Sequence, residues 1–171
     1  MLPASLDLTG RAALVTGAGS ESGIGFAAAR ALAELGASVT IAATTDRIHA
    51  RADELTAQGY AVQGAIADLT DPEAAAHLVS IAREQWGRLD IVVNNAGMTS
   101  VTAPGTPEGG DALSLDADAW RASMARNLDS AYFVSRAVLP EMLESGWGRI
   151  VMVASVTGPV MAMRAESAYA A

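Results

Sequence analysis

A glycine-rich stretch near the start of the chain, TGAGSESGIG at residues 16–25, has the composition of a phosphate-binding loop. Glycine lets backbone N–H groups approach phosphate oxygens, and a helix that begins there adds free N–H groups and the positive end of its dipole. The spacing does not fit G-x-G-x-x-G. Gly23 and Gly25 would each cost a helix about 1 kcal/mol relative to alanine. The stretch therefore favours nucleotide binding over the alternative, a structural turn.

This stretch joins a predicted strand to a predicted helix, in a chain where the two kinds of element alternate. The predicted strands are short and almost continuously apolar, which is typical of a parallel sheet covered by helices on both faces. We therefore predict a single doubly wound, Rossmann-like α/β domain over residues 1–171. Strands are predicted at 11–16, 38–44, 61–67, 89–94 and 149–155, and helices at 23–36, 46–59, from Asp71 (cap) and Pro72 onward, and at 116–145.

The amino-acid composition argues against several classes of protein. The 171 residues are 51% hydrophobic with a net charge of -8, which fits one globular domain and argues against a nucleic-acid partner. Cysteine is absent, and His49 and His77 are expected on the surface, so no metal site is predicted. The chain lacks a signal-peptide pattern and any apolar run long enough to span a bilayer, so we expect a cytoplasmic protein without membrane association.

Thr16-Gly17 followed by Gly23-Ile24-Gly25 resembles the T-G-x-x-x-G-I-G signature of the short-chain dehydrogenase/reductase family. Five residues, Ala18 to Ser22, stand where the usual signature has three. The resemblance implies a Rossmann-like fold, a nicotinamide dinucleotide cofactor and hydride transfer between a ketone and a secondary alcohol. It implies that the dinucleotide contacts Gly17, Gly19, Ser22, Gly23, Ile24 and Gly25.

Two motifs after later strands add to the implied cofactor site. NNAG, at residues 94–97, follows the fourth predicted strand, where family members contact the adenosine ribose and the nicotinamide. The resemblance implies contacts from Asn95, Ala96 and Gly97, whereas a ligand-free tight turn is the alternative. Asp68 and Leu69, after the third predicted strand, are implied to bind the adenine. A helix or loop cap is an equal alternative for Asp68.

The resemblance also implies a catalytic set of Asn127, Ser155 and Tyr169. MARNLDSAYFVSRAVLPEML matches the family's asparagine-bearing helix, RIVMVASVTG matches its serine strand, and SAYAA matches the start of Y-x-x-x-K. Reduction of a carbonyl needs a proton donor at the substrate oxygen, the role implied for Tyr169, which also contacts the cofactor. Ser155 is implied to orient and polarise the carbonyl, and Asn127 to support a proton-relay water chain.

Two features predict that the native polypeptide continues beyond Ala171. The lysine of Y-x-x-x-K, whose cation lowers the tyrosine pKa in the family, would fall two positions after Ala171. The strand at 149–155 is expected to be buried on both faces, and an uncovered apolar edge invites aggregation. We therefore expect residues 1–171 to be the N-terminal part of a longer enzyme.

The end of the second predicted strand usually decides between NAD and NADP, because an acidic residue there binds the ribose 2′-OH and repels a 2′-phosphate. Ala43 takes that place here. Thr44 and Thr45 can donate hydrogen bonds to a phosphate, and Arg47 adds positive charge. We predict NADP, with NAD as the alternative because the glycine stretch carries the acidic Glu21.

The overall pattern is nearest to 3-oxoacyl-[acyl-carrier-protein] reductases, which implies a carrier-linked 3-oxoacyl substrate. However, EMLESGWGR at 141–149 has two glutamates and one arginine, whereas an acidic carrier protein would need a basic docking surface. The Gly/Pro-rich loop at 97–112 borders the implied substrate mouth. A small ketone, alcohol or sugar substrate stays open, as does a non-catalytic dinucleotide-binding protein. The long helix at 116–145 is expected to mediate a homo-oligomer, a dimer or tetramer.

Overall fold

The computed structural model describes residues 6–97, 110–158, 160–161 and 164–171. Within these ranges, five parallel strands form one sheet in the order β3-β2-β1-β4-β5. The strands are β1 (Ala12–Val15), β2 (Ser38–Ala43), β3 (Val62–Ile66), β4 (Ile91–Asn94) and β5 (Arg149–Met152). The helices are α1 (Ile24–Glu34), α2 (Arg47–Ala57), α3 (Pro72–Trp86), α4 (Ala117–Met124), α5 (Ser130–Glu144) and α6 (Ser167–Ala170).

Helices cover both faces of the sheet. Successive strand residues point to opposite faces, so each strand contributes side chains to the core on both sides. On one face, α1 and α2 bury Phe26 and Leu55 in a cluster with side chains of β1, β2 and β4. On the other face, α3 and α5 bury Leu78 and Val138 in a second cluster. The predicted doubly wound α/β fold is confirmed.

Helix α3 begins and ends at residues whose types favour those positions. The Asp71 side chain accepts a hydrogen bond from the N–H of Glu73 at 2.9 Å, and Pro72 occupies the first helical position. Gly87 ends the helix with a left-handed φ of 75°. The predicted cap at Asp71 is confirmed, and this arrangement satisfies N–H groups that the first turn leaves unpaired.

The long helix predicted over 116–145 is present from Ala117 to Glu144, but it is not α-helical throughout. A π-helical turn (Ala125–Asp129) separates α4 from α5. Side-chain donors at this turn satisfy backbone carbonyl oxygens, with Asn127 Nδ2 3.0 Å from the Ser123 oxygen and Ser130 Oγ 2.8 Å from the Arg126 oxygen. Such local side-chain bonds compete with regular helical hydrogen bonding, and hydropathy patterning does not reveal them.

The expectation that the last strand would be buried on both faces was also wrong. β5 ends at Met152 instead of residue 155, and Val151 and Met152 expose 48% and 54% of their surface. The reason is position: among the described strands, β5 pairs with β4 alone and so lies at the edge of the sheet. Ile150 is half-buried against the second cluster.

A buried carboxylate, Asp90, connects β4 to β1 at the amino ends of the strands. It accepts hydrogen bonds from the Ala12 N–H at 2.9 Å, from Arg11 at 3.0 Å and from the Arg88 guanidinium at 2.5 and 2.6 Å. Burial by itself raises the pKa of Asp90. The hydrogen bonds from Arg88, Ala12 and Arg11 outweigh that effect and lower the pKa below its ordinary value.

We expect Asp90→Asn to lower the free energy of unfolding by about 2–3 kcal/mol at pH 7, because it leaves two guanidinium groups without their shared anion. Because the folded-state pKa is depressed, the stabilisation is present above the unfolded pKa of about 3.9 and is lost as pH falls through the folded value. Urea unfolding at pH 7 and pH 3 measures this, and the variant should approach wild type at the lower pH.

The matched control for this experiment is Asp118→Asn. Asp118 also pairs with an arginine at 3.0 Å, but its side chain is 95% exposed. An exposed pair contributes little stability, so this variant should unfold close to wild type at both pH values. Equal effects of the two substitutions would contradict a specific role for Asp90.

Candidate active site

The strand order reverses between β1 and β4, which are neighbours in the sheet although they are distant in sequence. In open α/β sheets, ligands bind at the carboxyl ends of the strands at such a reversal, where the connecting loops leave a crevice. Two segments meet there: the glycine loop, residues 16–25, and the turn at 94–97.

Two side chains, Thr16 and Asn95, hold the glycine loop against the turn. Thr16 Oγ1 accepts hydrogen bonds from the N–H groups of Asn95 at 3.0 Å and Ala96 at 2.9 Å. Asn95 Nδ2 donates to the carbonyl oxygens of Thr16 at 3.0 Å and Gly17 at 3.1 Å. The two segments therefore form one hydrogen-bonded unit. Thr16 was not predicted as a site residue, because the partners of its hydroxyl lie about 80 positions away in sequence.

We expect Thr16→Val to destabilise the protein by about 2–3 kcal/mol, because it leaves two backbone N–H groups without an acceptor. Thr16 is 1% exposed, so water cannot readily replace the hydroxyl. Thr16→Ser keeps the hydroxyl and removes only a methyl group, with an expected cost of about 1 kcal/mol. Denaturant unfolding of the two variants checks this, and equal losses would assign the effect to packing.

Gly17 and Gly25 lie so close to neighbouring atoms that neither position has room for a Cβ. Gly17 has a φ of 67°, and a Cβ there would lie 2.8 Å from the Ala96 Cα. A Cβ on Gly25 would lie 2.5 Å from Asn95 Nδ2 and 2.7 Å from the Gly17 oxygen. Any larger side chain at these two positions would push the loop away from the turn.

The first part of the glycine loop also touches the end of β2. The Ala18 N–H donates to the Ala42 oxygen at 2.9 Å, and a Cβ on Gly19 would lie 3.0 Å from the Ala43 Cβ. The segment that contains Thr44 and Thr45 therefore begins beside the loop. Thr44 is exposed, whereas Thr45 is half-buried, and its Oγ1 accepts a hydrogen bond from Arg47 Nε at 3.2 Å.

Helix α1 begins at Ile24 with Gly23 as its N-cap, and no side chain caps its first turn. Ile24 is 68% exposed and Ser22 is also exposed at this edge. Uncapped N–H groups, a close-packed glycine loop and a neighbouring strand end together provide what a dinucleotide diphosphate requires. The described residues fit the diphosphate of a dinucleotide.

Asp68 and Leu69 follow β3 at the same edge of the sheet. Asp68 Oδ1 accepts hydrogen bonds from the N–H and the hydroxyl of Thr70 at 3.0 and 2.7 Å, which is the loop-cap arrangement. Leu69 is buried in the second cluster, so its contribution to a ligand would come from its backbone. An adenine contact for either residue stays a prediction.

Asn127 lies in the π-helical turn and borders the turn at 94–97. A Cβ on Gly97 would lie 2.9 Å from Asn127 Oδ1, so the amide oxygen lies against the Gly97 backbone. Its Nδ2 donates to the backbone oxygen of Ser123. The structure thus brings this predicted catalytic residue to the predicted cofactor segment.

Ser155 and Tyr169 lie in segments that contact each other. Ser155 follows β5, is half-buried, and its Oγ accepts a hydrogen bond from the Thr157 N–H at 3.1 Å. Tyr169 is half-buried in α6. Gly158, with a φ of 101°, packs directly on the Ala170 carbonyl oxygen. A side chain at Gly158 would separate the serine segment from the tyrosine helix.

Helix α6 is also attached to Gly110, in the segment that precedes α4. The Gly110 N–H donates to the Ala165 oxygen at 2.7 Å, and the Ser167 N–H donates to the Gly110 oxygen at 3.2 Å. Most of the loop predicted at 97–112 to border the substrate mouth, residues 98–109, lies outside the described residues.

The described ranges contain neither a metal-binding cluster nor a membrane-spanning helix. No group of three or more His, Cys, Asp or Glu side chains there could hold a metal ion, and His49 and His77 are exposed. None of the helices in this part of the chain combines the length and apolar character needed to cross a bilayer.

Comparisons with known proteins agree with this arrangement. The family model for short chain dehydrogenases matches residues 11–171. Oxidoreductase UcpA of Escherichia coli strain K12 is 39% identical over 95% of this chain and 58% of its own length. D-beta-hydroxybutyrate dehydrogenase of Cupriavidus necator is 38% identical over 96% of this chain and 60% of its own length. A short chain dehydrogenase structure from Mycobacterium smegmatis superimposes with a TM-score of 0.83 at 32% identity, covering 95% of this chain and 65% of that one.

Proposed function

The chain belongs to the short-chain dehydrogenase family of oxidoreductases, and from this premise we propose that the whole protein interconverts a ketone and a secondary alcohol with NADP as cofactor. The chain spans 58–60% of the length of these curated relatives, so the activity is proposed for the whole protein. The observation that carries the proposal is that Thr16 and Asn95 join the glycine loop to the 94–97 turn, where Asn127 also lies.

A bound nicotinamide dinucleotide supplies or accepts the hydride at the carbonyl carbon. In the proposed mechanism, backbone N–H groups of the glycine loop and of α1 bind its diphosphate. Tyr169 gives its phenolic proton to the substrate oxygen during reduction and takes it back during oxidation. The Ser155 hydroxyl donates a hydrogen bond to the same oxygen and orients the carbonyl. Asn127 supports the water chain that returns a proton to Tyr169.

The choice of NADP over NAD is part of this proposal. Ala43, at the end of β2, provides no carboxylate to bind a ribose 2′-OH or to repel a 2′-phosphate. The exposed Thr44 and the half-buried Thr45 each carry a hydroxyl group that can donate to phosphate oxygens. Arg47 begins α2 beside them and provides positive charge.

For the substrate, a 3-oxoacyl group linked to acyl carrier protein is the first candidate, carried over from the resemblance in sequence. A small 3-hydroxy acid is the second, favoured by the surface before β5. There Glu144 is exposed, and Glu141 Oε1 accepts a hydrogen bond from the Leu89 N–H at 2.8 Å. An acidic carrier protein that docked on this surface would be repelled by these carboxylates. A relative named for D-beta-hydroxybutyrate supports the same candidate.

The proposal is tested by steady-state assays of the full natural chain. NADPH and NADH are each supplied with acetoacetate, with its carrier-protein thioester and with a panel of small ketones and sugars, and nicotinamide absorbance is followed. Turnover of at least one carbonyl supports the proposal, and the preferred acyl form decides between the two substrate candidates. Dinucleotide binding without turnover across the panel would indicate a non-catalytic binding protein. The cytoplasmic location and the homo-oligomer stay predictions.

A further inference from the structure

The residues inserted in the glycine loop include an acidic side chain that reaches across to α2. Glu21 Oε2 lies 3.0 Å from Arg51 Nη1. The Glu21 side chain is 78% exposed, whereas that of Arg51 is only 20% exposed. Glu21 is therefore free to move into water, while Arg51 is held in place.

A network around Phe26 holds Arg51. Its Nη2 lies 3.7 Å from Glu54, which is also paired with Arg30 at 2.9 Å. The guanidinium groups of Arg30 and Arg51 lie 5.2 and 5.7 Å from the Phe26 ring centroid. Arg51 Nε is buried and has no hydrogen-bond partner among the described residues. A strong acceptor that reached the Nη atoms of Arg51 would therefore meet a cation that is already positioned.

The glycine loop connects the Glu21–Arg51 pair to the end of β2, the place where doubly wound folds bind the ribose of a dinucleotide. Gly19, two residues before Glu21, contacts Ala43 at the end of β2. Arg51 is four positions after Arg47, so both arginines project from one side of α2. A 2′-phosphate bound there would be repelled by the Glu21 carboxylate and attracted by the Arg51 guanidinium.

We propose that Glu21 and Arg51 form a pair that sets the affinity of this site for the 2′-phosphate of the dinucleotide, an inference that rests on the proposed function. The 2′-phosphate and the Glu21 carboxylate compete for the Arg51 guanidinium. When the phosphate binds, Glu21 moves outward into solvent. A neutral 2′-OH does not compete, so NAD binds with the pair intact.

The test compares two small probes that differ in the 2′-phosphate, adenosine 2′,5′-bisphosphate and 5′-AMP, by titration calorimetry on the full natural chain. Glu21→Gln should tighten binding of the bisphosphate by about fivefold and change that of 5′-AMP by less than about twofold, since only one negative charge is removed. Arg51→Gln should weaken bisphosphate binding by about tenfold, again with little effect on 5′-AMP.

Arg30→Gln is the matched control, because Arg30 shares Glu54 and Phe26 with Arg51 but does not contact Glu21. It should leave the ratio of the two affinities at the wild-type value. In the double variant Glu21→Gln/Arg51→Gln, the gain from removing Glu21 should be smaller than in the single variant, because the arginine that Glu21 pairs with is also gone.

Three results would overturn the inference. The first is an equal change for both probes in Glu21→Gln, which would show that the pair only holds the loop. The second is an unchanged ratio in both single variants. The third is a double variant in which the effects of the two substitutions on the binding free energy of the bisphosphate simply add. Failure of wild type to bind either probe or either dinucleotide would instead contradict the proposed function itself, and the inference with it.

Discussion

Replacing Tyr169 by phenylalanine is expected to lower kcat for ketone reduction by about 10²–10⁴-fold, the usual contribution of a positioned proton donor. The substitution removes one hydroxyl group and keeps the ring that packs in α6. Dinucleotide affinity should weaken by less than about tenfold, because the cofactor loses at most one hydrogen bond, whereas the proton of this hydroxyl is needed at the transition state. Steady-state kinetics of the full natural chain, combined with a fluorescence titration of NADPH, measure both quantities.

Tyr132→Phe is the matched control for this prediction. Tyr132 lies on α5, is 56% exposed, and is remote in sequence from Ser155 and the tyrosine helix. Its substitution should leave kcat within about twofold of wild type, as for most surface changes. Retention of more than a tenth of the wild-type kcat in Tyr169→Phe would exclude Tyr169 as the proton donor.

The second large effect is expected for Gly17→Ala. A methyl group at Gly17 meets the Ala96 backbone at 2.8 Å, and the φ of 67° is unfavourable for alanine. We expect a loss of about 2–4 kcal/mol in the free energy of unfolding from backbone strain and overpacking together. Dinucleotide binding should weaken by more than about tenfold, because the loop must move away from the turn that orients it. Denaturant unfolding and NADPH titration measure the two effects.

The control variant Gly87→Ala distinguishes the effect of backbone strain from the effect of the steric clash that a methyl group meets at Gly17. Gly87 has a similar φ of 75°, but a Cβ there meets nothing within 4 Å. This variant should lose only the strain contribution of about 1–2 kcal/mol and should bind NADPH like wild type. If Gly17→Ala were no worse than Gly87→Ala, contact between the loop and the turn would not be needed for binding.

Much of the fold could be predicted because its signals are local. Alternating apolar strands and longer helices predicted the doubly wound sheet, and Asp71 followed by Pro72 predicted the start of α3. The glycine loop was located because closely spaced glycines at the end of an apolar strand are unfavourable in a helix. In each case, the residues that determine the structure are close together in the sequence.

The features that were missed depend on residues far apart in sequence or on hydrogen bonds. Burial of β5 could not be judged from its apolar residues, because exposure depends on whether another element covers the edge. The π-helical turn involves side-chain bonds from Asn127 and Ser130 that hydropathy does not reveal. The hydroxyl of Thr16 gained its role only when β4 came to lie beside β1.

The hydrogen bonds of Thr16 and Asn95 also affect the thermodynamics of ligand binding. Ordering a backbone residue costs about 1–2 kcal/mol of conformational entropy, and glycine loses more of this freedom than other residues. Because these hydrogen bonds lie entirely within the protein, the entropy of the glycine loop is lost when the chain folds. A ligand that binds afterwards meets a preorganised surface. The entropic cost of ordering the loop therefore lowers the free energy of unfolding and does not lower the affinity of the site.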